Sequence, residues 1–379
     1  MLVKEQIGLA RTLQVSLVQQ PNKYLIVQFK MRGNRIANFQ FLIVKLKAKV
    51  QGWKMKLLSQ VGRTTLIASI LQSLPLYSFS CFKVPEHVCC KMDSIICAFW
   101  WGHEHGENKF HLLNWDKISQ PKELGGLGIK KFKCMNQAML NKKYWRICQN
   151  PQSLLAKPFK ARYFPPCSIQ DCKSKPHHSW VWRNIIQQEN HFLREGKWRV
   201  GNGYNIPLNH RNLISHPNLN LSQPHLPTRI IGDLIDHNTR SWKVDLVRSL
   251  CLFPQASAIL QIPISKTNSM QDKLLRRFSR NGDYQVKKAY ELLTRDALGQ
   301  SRHFQANMGW WRSFWKIKVP LKINTFIWKL LHNCFPTFLN LHARGILTTK
   351  LCPMCNEEEE NHTHIFLYCP FARASHSHI

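Results

Sequence analysis

A mainly α-helical fold with minor short β-strands is what this sequence predicts, laid out as a helical basic body joined to a small C-terminal module. Three observations carry the prediction. Apolar residues recur at helical spacing along 58–70 and 88–99. Pro and Gly stand where helices open and close, as at Pro85 and Gly102. Four soft or borderline metal ligands crowd between Cys352 and Cys369. At 379 residues the chain has room for two or three domains with real cores, and 44% apolar composition with 13 Trp argues against global disorder.

The first fifty residues alternate basic and apolar positions, with Lys23–Leu25 extended and Arg32–Arg35 around a Gly turn. Next, Leu58, Val61, Thr65, Leu66, Ser69 and Ile70 predict one core-facing helical stripe with Lys and Arg on the other side. The uncharged run Thr64–Phe82 has the length of a membrane span, but Gln72, Pro75 and its Ser and Thr residues make a poor one. A buried helix ending before Pro75 is expected instead. A second helix should open at Pro85–Glu86, pack Val88, Met92, Ile95, Ile96 and Phe99, and stop near Gly102. Between Pro151 and His303 the signal thins, until Gly282–Val286 reads as a turn and short strand leading into a helix through Ala289, Tyr290 and Leu293. The expected organisation is a basic extended lead-in over 1–45, a helical region over 46–150, an irregular connecting region over 151–300 and the ligand-bearing module over 301–379.

Charge points to the partner. Lys plus Arg total 54 against 21 acids, a formal +33, and no acid occurs between Glu5 and Glu86 while twelve Lys or Arg do. Such a field attracts polyanions, nucleic acid first. Lys45, Lys47, Lys49, Lys54, Lys56 and Arg63 are the candidate phosphate contacts. Trp53 and Trp198, each followed by a cation, could stack on bases, but packing in the core is the favoured reading. An odd 13 Cys with the adjacent pair Cys89–Cys90 suits a reduced compartment. No secretory leader pattern opens the chain, so nucleus or cytoplasm is expected.

Cys352-Pro-Met-Cys355 with His364 and Cys369 dictates a chemistry by type and spacing together. Two thiolates separated by two residues grip one ion from a tight turn, and His364 with Cys369 completes the tetrahedral set that Zn²⁺ prefers. A hydrolytic zinc keeps an open position, whereas four protein ligands leave none, so the ion should be structural. Pro370 ends the helix that carries His364. Because His364 and Cys369 are five residues apart, a helix break between them is expected. The acidic run Glu357–Glu360 is expected to be a solvated turn opposite the ion. Lys350 and Arg373 should offset the net −1 of three thiolates on Zn²⁺. Cys167, Cys172, His177 and His178 make a second, looser set of potential ligands.

The stretch Cys352–Ala372 resembles the reverse-transcriptase zinc-binding domain of plant LINE-type (non-LTR) retrotransposon proteins. Trp315-Lys-Ile-Lys-Val-Pro320, Phe326-Ile-Trp328 and Asn340-Leu-His-Ala-Arg344 match the same domain, and the resemblance places Cys352, Cys355, His364 and Cys369 at its ligand positions. Further upstream, Gly52-Trp53, Gly62-Arg63, Leu74-Pro75, Trp101-Gly102, Gly125-Gly126-Leu-Gly128 and Trp145-Arg146 are similar to the segment after the polymerase palm, which implies a helical thumb that holds a template duplex by its backbone. The chain departs from the pattern at Pro207–Pro217, near Leu275–Arg277, where a Trp is absent, and near Ser375–His376.

Polymerisation needs a carboxylate cluster for two Mg²⁺, usually announced by an Asp–Asp pair, and no two of the nine Asp are adjacent. In the family the ribonuclease H carboxylates lie beyond the zinc segment. Gly125–Gly128 lacks the Lys-Ser/Thr of a phosphate loop. The expectation is therefore a non-catalytic nucleic-acid-binding fragment of a retrotransposon reverse transcriptase with structural Zn²⁺. Its partners would be RNA or DNA, with no membrane and no small-molecule substrate. The alternatives are an inert relic of a decayed element and the truncated product of an active RNA-directed DNA polymerase gene.

Overall fold

The computed structural model describes residues 33–53, 58–102, 111–165, 172–187, 196–208, 230–276, 283–297 and 308–376, apart from a few positions inside those ranges, and short pieces elsewhere. Lys54, Lys56, Arg32, Cys167 and most of 205–230 lie outside the described residues. Helices dominate, as expected. The described strands form three two-stranded antiparallel pairs. The first joins β1 (Lys23–Tyr24) to β2 (Val27–Gln28), in keeping with the extended reading there. The described residues fall into two compact units, one within Met1–Ser78 and Val84–Phe110, the other within Phe79–Lys83 and His111–Ile379.

In the first unit α1 (Arg35–Gln51) buries Asn38, Phe39, Leu42, Ile43 and Leu46, a stripe at spacings of three and four. It packs against the helix Glu86–Trp101. Helix α2 (Gln60–Leu66), capped by the Ser59 side chain on the Gly62 N–H at 3.2 Å, widens into a π-helix over Ile67–Leu71. It ends before Pro75, as expected, and a separate helix, α3 (Leu76–Cys81), follows that proline. The core-facing stripe of α2 differs from expectation. Thr65 and Ser69 are exposed, whereas Ile67 and Leu71 are fully buried. Contacts at Arg63 and Thr64 explain the rotation. The Arg63 guanidinium donates to the Trp100 carbonyl at 3.3 Å, and the Trp100 indole donates to the Thr64 hydroxyl at 2.9 Å. Polar groups on the face shared with Ile67 and Leu71 thus find their partners on the neighbouring helix.

That neighbour, α4 (Glu86–Trp101), runs close to its expected bounds, with Pro85 one position earlier than expected, at the N-cap. Gly102 closes it in the left-handed conformation, φ 74°, which a side chain would strain. Any Cβ there would also strike the Arg63 guanidinium, 2.1 Å away. Val88, Met92, Ile96 and Phe99 are buried as expected, together with Cys89, Cys97, Trp100 and Trp101, while Ile95 is only half-buried.

In the second unit a short helix α5 (Trp115–Ile118), capped by Asn114, and a 3₁₀ turn (Lys122–Leu124) precede α6 (Phe132–Gln149). Helix α6 is buried on several sides, through Phe132, Met135, Asn136, Ala138, Leu140, Tyr144 and Trp145. Buried Asn136 donates to the carbonyls of Phe79 and Phe82 at 3.0 and 2.8 Å, so its amide has partners in place of water. Helices α7 (Ala156–Tyr163) and α8 (Trp180–Ile186) follow, with Phe159, Tyr163 and Phe164 stacked around Trp182.

Ordered structure also runs through the stretch read from sequence as irregular. Strand β3 (Gly196–Arg199), the hairpin β4 (Ile235–Asp236) and β5 (Ser241–Trp242), α9 (Val244–Leu250), α10 (Phe253–Leu260) and β6 (Lys273–Arg276) occur there. Strand β3 pairs with β6, and Val200, Ile231, Leu234, Ile235, Val247 and Ile259 form a core of their own. Three helices then lead towards the metal ligands: α11 (Val286–Ala297), α12 (Met308–Phe314) and α13 (Leu321–Leu331).

These late helices lean on the segment 111–138. The Tyr284 hydroxyl donates to the Ala138 carbonyl at 2.7 Å, and the Lys131 N–H donates to the Tyr290 hydroxyl at 2.9 Å. The Gly125 carbonyl accepts from the Trp328 indole at 2.7 Å and from His332 Nε2 at 2.8 Å. Arg344 donates to the carbonyls of His111 and Leu112. Gly125 and Gly126 are thereby required as glycines. A Cβ on Gly125, at φ 88°, would lie 2.8 Å from the Trp311 ring, and one on Gly126 would lie 2.0 Å from the Gln120 carbonyl oxygen.

Two measurements check this packing. Gly126→Ala should lower the unfolding free energy by about 1–3 kcal/mol through overpacking. Gly309→Ala, where a Cβ meets nothing within 4 Å, should instead raise it by up to about 1 kcal/mol in denaturant titrations. Burial holds His332 below its ordinary 6.5; the Gly125 carbonyl opposes that shift and Lys117 adds to it. The fold therefore prefers the neutral ring, whose contribution is complete above about pH 6.5 and is lost as pH falls through the lower folded value. His332→Gln, which keeps a donor for Gly125, should show a flatter loss of stability between pH 7 and 5 than the wild-type chain.

Candidate metal centre

A short antiparallel bridge between Leu351 and Glu359 builds the first half of the site. Cys352 N–H donates to the Glu358 carbonyl and Glu360 N–H to the Lys350 carbonyl, both at 2.8 Å, which folds Cys352–Cys355 into a tight knuckle. Asn356, at φ 56°, turns the chain in the left-handed region that Asn tolerates better than most residues. The N–H groups of Glu357 and then Glu358 point at the Cys355 sulfur and, helped by His364, bring its thiol down to about 7, against the opposing effect of burial. Cys352 is raised by its burial.

A π-turn over His364–Tyr368 builds the second half. Asn361 caps it, its side chain accepting from the His364 N–H at 2.7 Å. The Cys369 N–H donates to the His364 carbonyl at 2.8 Å, an i to i+5 closure. No break separates the two ligands, contrary to expectation. The wider turn brings residues five apart to one side, and the chain leaves helical geometry at Cys369 itself, φ −58° and ψ 130°. Pro370 then opens α15 (Pro370–His376), after α14 (Phe338–His342) earlier in the module.

The three sulfurs and the His364 ring offer one ligand atom each, all within 4.8 Å of one another. Around tetrahedral zinc, donors at about 2.0–2.3 Å from the ion stand about 3.3–3.8 Å apart, so small inward movements complete the set. The His364 Nε2 already lies 3.3 Å from the Cys355 sulfur. Cys352, His364 and Cys369 are buried and Cys355 is half-buried, and four protein ligands suit a structural rather than a hydrolytic ion. The site fits Zn²⁺, and Cys352, Cys355, His364 and Cys369 are the residues that would hold it.

The acidic run corrects the sequence reading. Glu358 Oε2 lies 2.9 Å from His364 Nδ1, so that nitrogen carries the proton and Nε2 is left to face the ion. Glu360 accepts from the Phe338 N–H at 3.2 Å and Glu359 pairs with Lys350. Two of the four acids thus brace the module and a third orients a ligand. Lys350 is consequently engaged by Glu359, and Arg373 lies against the Tyr368 ring and donates to the Leu367 carbonyl. Neither cation is turned to the sulfurs.

The remaining candidates are placed separately. Lys45, Lys47 and Lys49 are exposed on α1; Lys45 and Lys49 share one flank of its buried stripe, and Lys47 lies on the other. Arg63 is half-buried and turned to the end of α4. Trp53 packs on Phe99 at 5.3 Å and Trp198 is half-buried, in line with packing roles. Of the looser set, Cys172 contacts the Tyr163 carbonyl at 3.5 Å. His178 accepts from the Lys175 N–H at 3.2 Å and packs beside His177. Among the described residues these gather no third ligand, and the C-terminal quartet is the one metal-suited cluster. No helix among the described residues is long and apolar enough to cross a membrane.

Comparison with known proteins agrees with this geometry. Residues 284–375 match the family described as zinc-binding in reverse transcriptase. The match begins at Tyr284, which docks on α6. An Arabidopsis thaliana protein with a ribonuclease H name is 27% identical over 341 residues, covering 88% of this chain and 54% of its own length. The chain thus spans about half of that relative. An uncharacterised mitochondrial protein of the same plant is 34% identical over 132 residues, 35% of this chain and 86% of the relative.

Removing one ligand should empty the site. Cys352→Ser is expected to lose bound zinc in elemental analysis and to destabilise the module by several kcal/mol, on the order of a structural zinc site's contribution. Glu358→Ala should weaken zinc about 10- to 100-fold in chelator competition, with Glu358→Gln, which still accepts from Nδ1, close to wild type. Equal affinities for the Ala and Gln variants would remove Glu358 from this role.

Proposed function

The chain belongs to the plant retrotransposon reverse-transcriptase family, and we propose that it serves there as a non-catalytic, nucleic-acid-binding part of a LINE-type (non-LTR) element. The observation that carries this reading is the charge: 54 Lys and Arg against 21 acids, with Lys45, Lys47 and Lys49 exposed in a stretch that has no acid from residue 6 to residue 85. Cations without carboxylates to neutralise them attract phosphate, and binding then draws on counterion release rather than on base identity. RNA and DNA are both within that chemistry.

Zinc supports the binding role indirectly. A buried ion with four protein ligands stabilises a small module and offers no position for a reacting water. The nine Asp include no adjacent pair of the kind that usually announces a polymerase metal site. The relative's ribonuclease H name belongs to a longer protein, of which this chain covers 54%, and that activity is not part of this reading. Nucleus or cytoplasm is the proposed location, where thiols stay reduced for zinc.

Duplex binding followed against salt tests the proposal. Each phosphate contact contributes roughly 0.9 to the log–log slope, so replacing Lys45, Lys47 and Lys49 together by Ala should lower the slope by about 2–3. An unchanged slope would move the interface elsewhere, and a chain that binds no nucleic acid near physiological salt would end the reading. Primer extension with Mg²⁺ should yield no product.

A further inference from the structure

A second acid-free run lies inside the zinc-binding domain. From Ala297 to Asn356 there is no Asp or Glu, while there are eight Lys or Arg. Helix α12, the turn after it and the first turn of α13 bring four of them to solvent. Arg312, Lys316, Lys318 and Lys322 are all exposed, and among the described residues none is paired with a carboxylate. The neighbouring 3₁₀ turn adds Lys122 and Glu123, which offset each other in charge.

Trp310 stands at the head of this stretch. Twelve of the 13 Trp are buried or half-buried; Trp310 is 51% exposed. Its ring lies parallel to Phe314, centroids 5.6 Å apart and planes 2° apart, so the side chain is held in place before any ligand arrives. Gly309 beside it leaves open space, since a Cβ there would meet nothing within 4 Å. A pre-oriented indole a few residues before a run of exposed cations suits a base whose face is free. A duplex hides those faces in its stack.

We propose that the segment from α12 into the first turn of α13 forms a contact surface for single-stranded nucleic acid, with Lys316, Lys318 and Lys322 on phosphates and Trp310 stacked on an unpaired base. This rests on the nucleic-acid reading above and assigns it a surface and a strand state. Stacking separates this surface from α1, whose exposed lysines have no aromatic partner of this kind among the described residues.

The test is fluorescence anisotropy of the zinc-loaded full chain with labelled 20-nucleotide dT and rU strands and a duplex of equal length. Trp310→Ala should weaken single-strand binding roughly 5- to 150-fold, the usual effect of losing one base–aromatic stack, and change duplex binding less than about twofold. Trp310→Phe should recover most of the loss, and Lys316, Lys318 and Lys322 replaced together by Ala should lower the single-strand salt slope by about 2. The melting temperature of the triple lysine variant should stay at the wild-type value, because those side chains are exposed, and Trp310→Phe, which keeps a ring on Phe314, controls for packing lost in Trp310→Ala. The proposal fails if Trp310→Ala leaves single-strand affinity intact or lowers duplex affinity equally. It also fails if these variants change binding only to phosphatidylserine vesicles, where Ile317, Leu321 and Ile323 would supply the apolar contact. Loss of binding on replacing Lys45, Lys47 and Lys49, with no effect here, would overturn this surface and leave the proposed function standing; a wild-type chain that binds neither strand form would overturn both.

Discussion

One backbone oxygen holds the C-terminal helices to the rest of their unit. The Gly125 carbonyl accepts from both the Trp328 indole and His332, across more than 200 residues of sequence. A buried carbonyl with two donors is fully satisfied, and removing either donor leaves a polar group without water. The geometry excludes side chains from the turn, since Trp311 and the Gln120 carbonyl occupy the places where Cβ atoms would stand. Helix α12 docks on the adjoining 3₁₀ turn, where the Trp315 indole donates to the Lys122 carbonyl, and Arg344 and Tyr284 add anchors at the His111–Leu112 and Ala138 carbonyls.

Zinc and packing then divide the work. Helices α6 and α11 pack against each other through buried side chains, whereas the segment 350–370 buries only Cys352, His364 and Cys369. A segment with so small a core needs a cross-link, and four ligands on one ion supply it. The exposed apolar residues Met354, Leu367, Tyr368 and Phe371 mark the other side of that arrangement, where metal rather than burial sets the structure.

Legibility in the sequence followed the range of the forces involved. The zinc ligands could be read because ligand chemistry acts through four residues at short spacing, and α4 because proline and glycine punctuate it locally. The stripe on α2 lies a fraction of a turn from the one its periodicity predicts, since Trp100 fixes the orientation of Thr64 and Arg63, and no pattern within 58–71 contains that partner. Glu358 looked like one member of a solvated acidic run; only the bridge between Leu351 and Glu359 aims it at His364. No local pattern around Gly125 contains its two distant donors. The acid-free run before Cys352 was present in the sequence all along, and exposure of Trp310 is what separates it from ordinary surface charge.

The π-turn between the last two ligands sets a rule for how this module can vary. Its closure counts five residues from His364 to Cys369, and Leu367 and Tyr368 face outward within that count, so substitutions there leave the loop's length untouched. Deleting or inserting a single residue would rotate the final thiol by roughly a quarter turn. Drift among copies of such an element should therefore accumulate as exchanges of side chains in this loop, and a change of its length would mark a copy that can no longer close around its ion.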